Sequence, residues 1–156
     1  MTRAPLQVAR TTRVAAPAGR VWDRVTTFEG INHELMPLMR MVLPRRYAGS
    51  TVDDLEPGQR VGRVWILYLG FLPLDFDDLT IAELEPGRRF LERSRMATMR
   101  TWQHERVVEP LPEGDACTLT DRLTFEPRMR LLDPLLRRVV TFVFAHRHRR
   151  LLAHFG

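Results

Sequence analysis

The tripeptide Glu-Pro-Gly occurs twice, at Glu56-Pro57-Gly58 and at Glu85-Pro86-Gly87. Proline presets φ at the first central position of a turn and glycine supplies positive φ at the second, so each copy reverses the chain. The stretches 70–73 and 110–114 supply two further breaks. Between these breaks lie segments of strand length, rich in β-branched and aromatic residues: 47–55, 59–69, 74–84, 89–96, 101–109 and 117–125. Consecutive strands joined by short turns predict an antiparallel meander, and such a sheet must have one face covered.

Residues 129–154 provide the cover. Leu132, Leu135, Leu136, Val139, Val140 and Val143 fall on one broad helical face with Phe142 at its margin, while Arg138, Thr141 and His148 lie away from its centre. Pro134 sits near the start, where a helix tolerates it, and arginines crowd the last turns opposite the negative end of the helix dipole. Ahead of the meander, residues 6–14 alternate as a first strand. Ala15-Ala16-Pro17-Ala18 then opens a helix that lays Trp22 and Val25 against the sheet and is broken at Gly30. A second short helix is expected over 32–39. The expected architecture is α+β: a curved antiparallel sheet of about seven strands around a long C-terminal helix, with two short helices after strand 1.

At 156 residues the chain suits a single domain spanning 1–156, with enough apolar content (44%) for one core and a modest pocket. Its longest apolar run, residues 64–69, is far too short to span a bilayer, so no stable membrane insertion is expected. The opening Met1-Thr2-Arg3-Ala4-Pro5 leads into alternation without the apolar stretch of a signal peptide, and the expectation is a cytoplasmic protein. All 24 basic residues are arginine. The absence of lysine excludes Schiff-base chemistry, a lysine-anchored pyridoxal cofactor and a Walker-type phosphate loop. Net charge is +5, but the arginines are interspersed with acidic residues, and no nucleic-acid partner is expected. The lone Cys117 can form neither an internal disulfide nor a zinc cluster and reads as a small core or edge residue. No cofactor is expected.

Arg13-Val14-Ala15-Ala16-Pro17-Ala18-Gly19-Arg20-Val21-Trp22-Asp23, Trp102-Gln103-His104-Glu105, Leu119-Thr120-Asp121-Arg122-Leu123 and Phe144-Ala145-His146-Arg147 follow one another along nearly the whole chain. In this order the four pieces resemble the START/Bet v 1-like superfamily in its SRPBCC (polyketide cyclase/dehydrase-like) branch. The resemblance implies a helix-grip fold with a cavity between sheet and terminal helix. It says little about activity, because one fold hosts many functions. Residues 28–37 depart from the family's usual second helix, and stand either as a lid over the cavity or as a helix packed on the sheet edge.

Strand alternation places Trp102, His104 and Arg106 on one face, Leu119, Asp121 and Leu123 on another, and Phe90, Glu92, Ser94 and Met96 on a third. If all three point inward, Glu92, His104, Arg106 and Asp121 form a polar cluster inside an apolar cup. Such a cluster orients a ligand, supplies a His–carboxylate acid/base pair through His104 with Asp121 or Glu92, or closes the sheet as a satisfied ion-pair network with Arg147 as a further member. The remaining candidates for ligand contact are Trp65 and Leu67 on one strand face, and Leu135, Val139, Phe142 and His146 on the terminal helix, with the cavity beneath residues 132–142. His146 and His148, two apart on a helix, point in nearly opposite directions and cannot share a metal ion, so no metal site is expected. Asp75, Asp77 and Asp78 lack the glycine and distal glutamate of a calcium loop and read as a solvated strand start.

Three functions fit these features. The leading one is binding or carrying a small hydrophobic molecule. Beside it stand a cyclase/aromatase- or dehydratase-type enzyme using His104, and a membrane- or partner-docking module using the basic end of the terminal helix.

Overall fold

A computed structural model describes residues 3–156, leaving Met1 and Thr2 of the opening stretch outside the described residues. One sheet of seven antiparallel strands runs through the molecule in the order β1-β7-β6-β5-β4-β3-β2. β1 (Leu6–Val14) is followed by α1 (Ala18–Val25), α2 (Phe28–Leu35) and the short β2 (Met39–Val42). The meander continues with β3 (Arg60–Tyr68), β4 (Leu72–Glu85), β5 (Arg89–Met96), β6 (Met99–Pro110) and β7 (Cys117–Pro127). The chain ends in α3 (Asp133–Phe155), gripped against the concave face. This is the helix-grip α+β fold that the element order predicted. Gly58 (φ 84°) and Gly87 (φ 82°) take the positive φ that their Pro-Gly turns require.

Curvature comes from irregular pairing. Register shifts interrupt β3–β4 at Gly62 and again before Tyr68, β4–β5 between Ile81 and Glu83, and β6–β7 between Met99 and Thr101. An extra residue on one strand bends and twists it, which turns a flat meander into a cup.

Three local expectations are corrected. Residues 47–55 form no strand: Gly49 takes positive φ, and Thr51 and Asp54 close a capping box around a 3-10 turn at Val52–Asp54. The seventh strand is instead β2, whose first residue, Met39, falls within the helix expected over 32–39. Gly30 does not break a helix. Thr27 caps α2 by accepting the Gly30 N–H, and a Cβ on Gly30 would lie 1.9 Å from the Arg24 carbonyl oxygen, so this glycine lets the end of α1 abut α2. The buried face of α3 also lies about a quarter of a turn round from the expected one. Val140, Val143, Phe144, Arg147, His148 and Leu151 face the sheet, whereas Leu135 (56% exposed) and Phe142 (55% exposed) face outward.

Beneath α1, Val21, Trp22 and Val25 join Val14, Val64, Leu79, Val108 and Leu119 in one part of the core. Trp22 donates its indole N–H to Asp53 (2.8 Å), tying α1 to the 3-10 turn and satisfying the one polar group of a buried ring. The other part of the core gathers Ile66, Met96, Met99 and Phe125 under Val140, Val143 and Phe144 of α3. No helix among the described residues is long and apolar enough to cross a membrane.

Candidate functional site

A cavity of ≈ 120 Å³ lies between α3 and the sheet. Its mouth is formed by the half-exposed Met39, Tyr68, Leu136 and Val139, and its walls by Ile66, Met96, Met99, Trp102, Val140 and Phe144. Asp77, Glu92, His104 and Arg147 also line it, and all four are buried. A smaller lobe of ≈ 50 Å³ continues beneath Phe28 and Ile31 of α2 and shares Met41, Glu92, His104 and Arg147 with the main cavity. The space is largely apolar; Tyr68, Asp75 and Thr98 add polar groups to its lining, and Glu92, His104 and Arg147 stand where the two spaces share their walls.

Behind these shared walls lies a buried network centred on Asp121. In register, Arg106 pairs with Asp121 across β6–β7 and Glu92 with His104 across β5–β6, so alternation alone brings these side chains to one face. Arg106 donates Nε and Nη2 to the two oxygens of Asp121 (2.7 and 2.8 Å) and its two Nη groups to Glu34 (3.0 and 2.9 Å). His104 Nε2 lies 2.7 Å from Asp121 Oδ1, and His148 Nε2 lies 2.8 Å from Oδ2. Burial alone would raise the Asp121 pKa, but the Arg106 charge and hydrogen bonds, with His104, hold it well below the usual carboxylate range. An ionised carboxylate only accepts, so both histidines donate from Nε2. The Thr12 hydroxyl lies 2.7 Å from His148 Nδ1, and Glu92 Oε2 lies 3.7 Å from His104 Nδ1. Arg147 donates Nε to Glu34 (3.2 Å); burial first, then the Arg106 charge, lowers its pKa. Arg106 is pushed the other way, since Asp121 and Glu34 outweigh its desolvation.

Glu92 stands between this network and the cavity. Burial would raise its pKa, but the neighbouring His104 and Asp77 side chains lower it, and Ser94 donates to it at 2.9 Å. Asp77 moves in the opposite direction: burial, then the Glu92 charge, pushes it well above the ordinary value. The solvated strand start expected at residues 75–78 is therefore corrected. Asp75 and Asp77 alternate inward from β4 and are buried, while Asp78 is half-buried and pairs with the exposed Arg60 (2.6 Å).

The sequence-derived candidates divide into three groups. Trp102, His104 and Val139 line the cavity, together with Glu92. Arg106, Asp121, Leu119 and Leu123 are buried behind the lining and hold it in place. Trp65, Leu67, Leu135, Phe142 and His146 lie outside the lining. The bulge at Gly62 gives the inward face of β3 to Val64 and Ile66; Trp65 (42% exposed) packs edge-on to Phe76 outside, with the Arg63 guanidinium beside both rings. Leu135 and Phe142 are on the solvent side of α3 for the reason given below. His146 Nε2 donates to the Met36 carbonyl (2.8 Å), clamping α3 to the segment after α2.

That clamp bears on residues 28–37. Residues 28–35 of this stretch form α2, which roofs the inner lobe and is held by Glu34 to Arg106 and Arg147, by the Asn32 amide to both backbone groups of Met41, and by Arg150 Nε to the His33 carbonyl (3.0 Å). Of the terminal arginines, Arg147 and Arg150 are thus engaged with α2, and Arg149 is exposed. Sequence reasoning missed Glu34, Asp77 and His148. Glu34 sits beside Ile31 and Leu35 on one helical face, and His148 lies four residues after Phe144 and three before Leu151, so both interrupt apolar rows as Asp121 does. Among the described residues, no group of three or more His, Cys, Asp or Glu side chains is arranged to hold a metal ion.

Solved structures share this architecture. A START superfamily protein from Mycobacterium smegmatis superposes with a TM-score of 0.70 at 14% identity, covering 96% of both chains. The Zhui aromatase/cyclase from Streptomyces sp. R1128 gives a TM-score of 0.64 at 17% identity, over 96% of this chain and 93% of its own. DynU16, from the dynemicin biosynthetic locus, gives 0.63 at 19% identity, over 95% of this chain and 46% of its own. At such identities the likeness is one of fold. No curated protein sequence matches. The family described as Domain of unknown function (DUF8410) matches residues 12–155, an interval that contains every network residue from Thr12 to His148. The chain therefore belongs to the DUF8410 family, built on the START/Bet v 1-like helix-grip fold.

Proposed function

We propose that this protein binds a small, largely apolar molecule in the cavity between α3 and the sheet, with the buried polar groups at its floor orienting the ligand. One observation carries the reading: mostly apolar walls enclose a space that the buried polar side chains Asp75, Asp77, Glu92, His104 and Arg147 also line. Cavities that are mostly apolar with a few convergent polar groups are the common form of a small-molecule site. The network behind the floor is a rigid support, since each charged member has a partner of opposite charge.

Native mass spectrometry of the purified protein should reveal a bound small molecule, or saturable uptake of an uncharged aromatic probe read by quenching of Trp102 in the cavity wall. Val140→Trp, which fills the space, should abolish either signal. Saturable binding that survives the filled cavity would put the ligand elsewhere and sink the reading.

A second reading, an enzyme of cyclase/aromatase or dehydratase type, draws on His104, which lines the cavity between two carboxylates. Its Nε2 is committed to Asp121, so Nδ1, beside Glu92, is the nitrogen left for acid/base work. Conversion of the co-purified molecule by wild-type protein, lost in His104→Ala with binding retained, would favour this reading over simple carriage.

A further inference from the structure

Arg106 and Arg147 are both buried, 0% and 6% exposed, and they use their donors differently. A guanidinium carries five N–H donors in a planar fork and no acceptor. Arg106 makes four hydrogen bonds, from Nε and both Nη groups, to Asp121 and Glu34. Arg147 makes one, from Nε to Glu34. Its two Nη groups donate to no partner among the described residues, and neither is an atom sealed inside the protein. The side chain keeps 8% of its surface and lines both lobes of the cavity, with its guanidinium carbon 4.9 Å from the centre of the Phe144 ring in the wall. Buried donors without partners are costly, and native chains leave few of them. The unused donors of Arg147 stand where a molecule in the cavity can reach them.

We propose that the Nη groups of Arg147 are the point at which the cavity recognises a carbonyl oxygen, and that the ligand is a compact, uncharged ring compound bearing one carbonyl group, such as a small aryl ketone. This rests on the cavity-binding reading above and names its ligand class. Arginine stays cationic and only donates, so the matching group on the ligand must accept. The planar fork suits an oxygen whose lone pairs share one plane, as those of a carbonyl do. A carboxylate also accepts, but the site already sets the carboxylates of Glu34, Glu92 and Asp121 against the two guanidiniums. Glu92 lines the same two lobes as Arg147, so a ligand carboxylate would enter beside a like charge. An ammonium offers no acceptor and would meet the Arg147 charge. A neutral carbonyl meets neither obstacle. Size narrows the class further, because ≈ 120 Å³ with a ≈ 50 Å³ side lobe is comparable with cavities of about 150 Å³ that admit benzene. Trp102 and Phe144 offer rings in the wall.

The test compares acetophenone with α-methylstyrene, near-isosteres differing by C=O against C=CH₂, with benzoate as a charged control, by calorimetry on the full chain. Wild-type protein should bind acetophenone about ten-fold more tightly than α-methylstyrene, and benzoate most weakly. Arg147→Met keeps the apolar stem and leaves Glu34 its two bonds from Arg106, so α-methylstyrene should still bind while the ratio falls to about one. A second reading needs no variant: the infrared carbonyl stretch of acetophenone bound to wild-type protein should lie below its value in hexane. Equal wild-type affinities for acetophenone and α-methylstyrene, a ratio unchanged in Arg147→Met, an unshifted carbonyl stretch, or tightest binding of benzoate overturns the carbonyl inference alone. So does failure of all three probes while the purified protein carries another molecule. Failure of all three with no molecule carried overturns the cavity reading and this inference with it.

Discussion

The two halves of α3 treat their side chains in opposite ways. In the first half Leu135 and Phe142 are more than half exposed, and Leu131, just before the helix, is exposed as well. In the second half Arg147 and His148 are 6% and 1% exposed, while apolar Leu151 is buried beside them. Leu135 and Phe142 face out, while the polar Arg147 and His148 face in. The comparison shows what set the rotation of the helix. Turning α3 to bury Leu135 and Phe142 would recover about 1.5–3 kcal/mol for each, and would lift Phe144 and Leu151 off the sheet at similar cost. Apolar burial is thus nearly balanced between the two orientations. The charges are not. Removing one partner from a buried ion pair costs about 3–5 kcal/mol; the rotation would take Arg147 from Glu34 and break the His148 hydrogen bond to Asp121 as well.

The largest test of this comparison is Arg106→Met, which leaves Asp121 and Glu34 as two buried anions without their shared cation. Urea unfolding should show a loss of about 3–5 kcal/mol; a loss below about 1 kcal/mol would mean that the network does not orient α3. Next comes Leu151→Ala on the buried side, expected to cost about 2–4 kcal/mol in the same assay.

A pH series separates the two kinds of buried carboxyl. Asp121 has a folded pKa below its ordinary 3.8, so its contribution is present above that value and is lost as the pH falls through the folded pKa. For Asp77 the folded pKa is raised, so its contribution is complete below 3.8 and is lost as the pH rises through the folded value. Asp77→Asn should therefore gain stability relative to wild type as the pH is raised from about 4 towards 8. A constant difference between the two unfolding midpoints over that range would rule out a neutral Asp77. The smallest effect is expected from Leu135→Ala on the exposed side, within about 0.5 kcal/mol of wild type. If Leu135→Ala cost as much as Leu151→Ala, the contrast between the two halves would collapse.

Much of the cluster was legible before any coordinates. The rows Trp102-His104-Arg106 and Leu119-Asp121-Leu123 follow from a period of two, and a carboxylate or arginine interrupting an apolar row marks itself. Residues whose face depends on an irregularity were not legible. The bulge at Gly62 sent Trp65 outward, and the inward alternation of β4 took Asp75 and Asp77 out of solvent although three aspartates in four residues read as exposed. Helix α3 defeated periodicity for another reason: Leu135, Val139 and Phe142 make an apolar stripe as plausible as the buried one.

By itself the amino-acid sequence determined the order of elements, the antiparallel meander and the grip of a terminal helix on a sheet. Those follow from turn chemistry and from periods of two and 3.6, which are local properties of the chain. Tertiary structure decided which face of that helix turned inward, because the choice depended on partners 113 residues away for Arg147 and 27 for His148. It also decided that Asp77 would be buried beside Glu92, out of solvent. Burial and the pairing of charges are properties of the assembled fold, and no local pattern carries them.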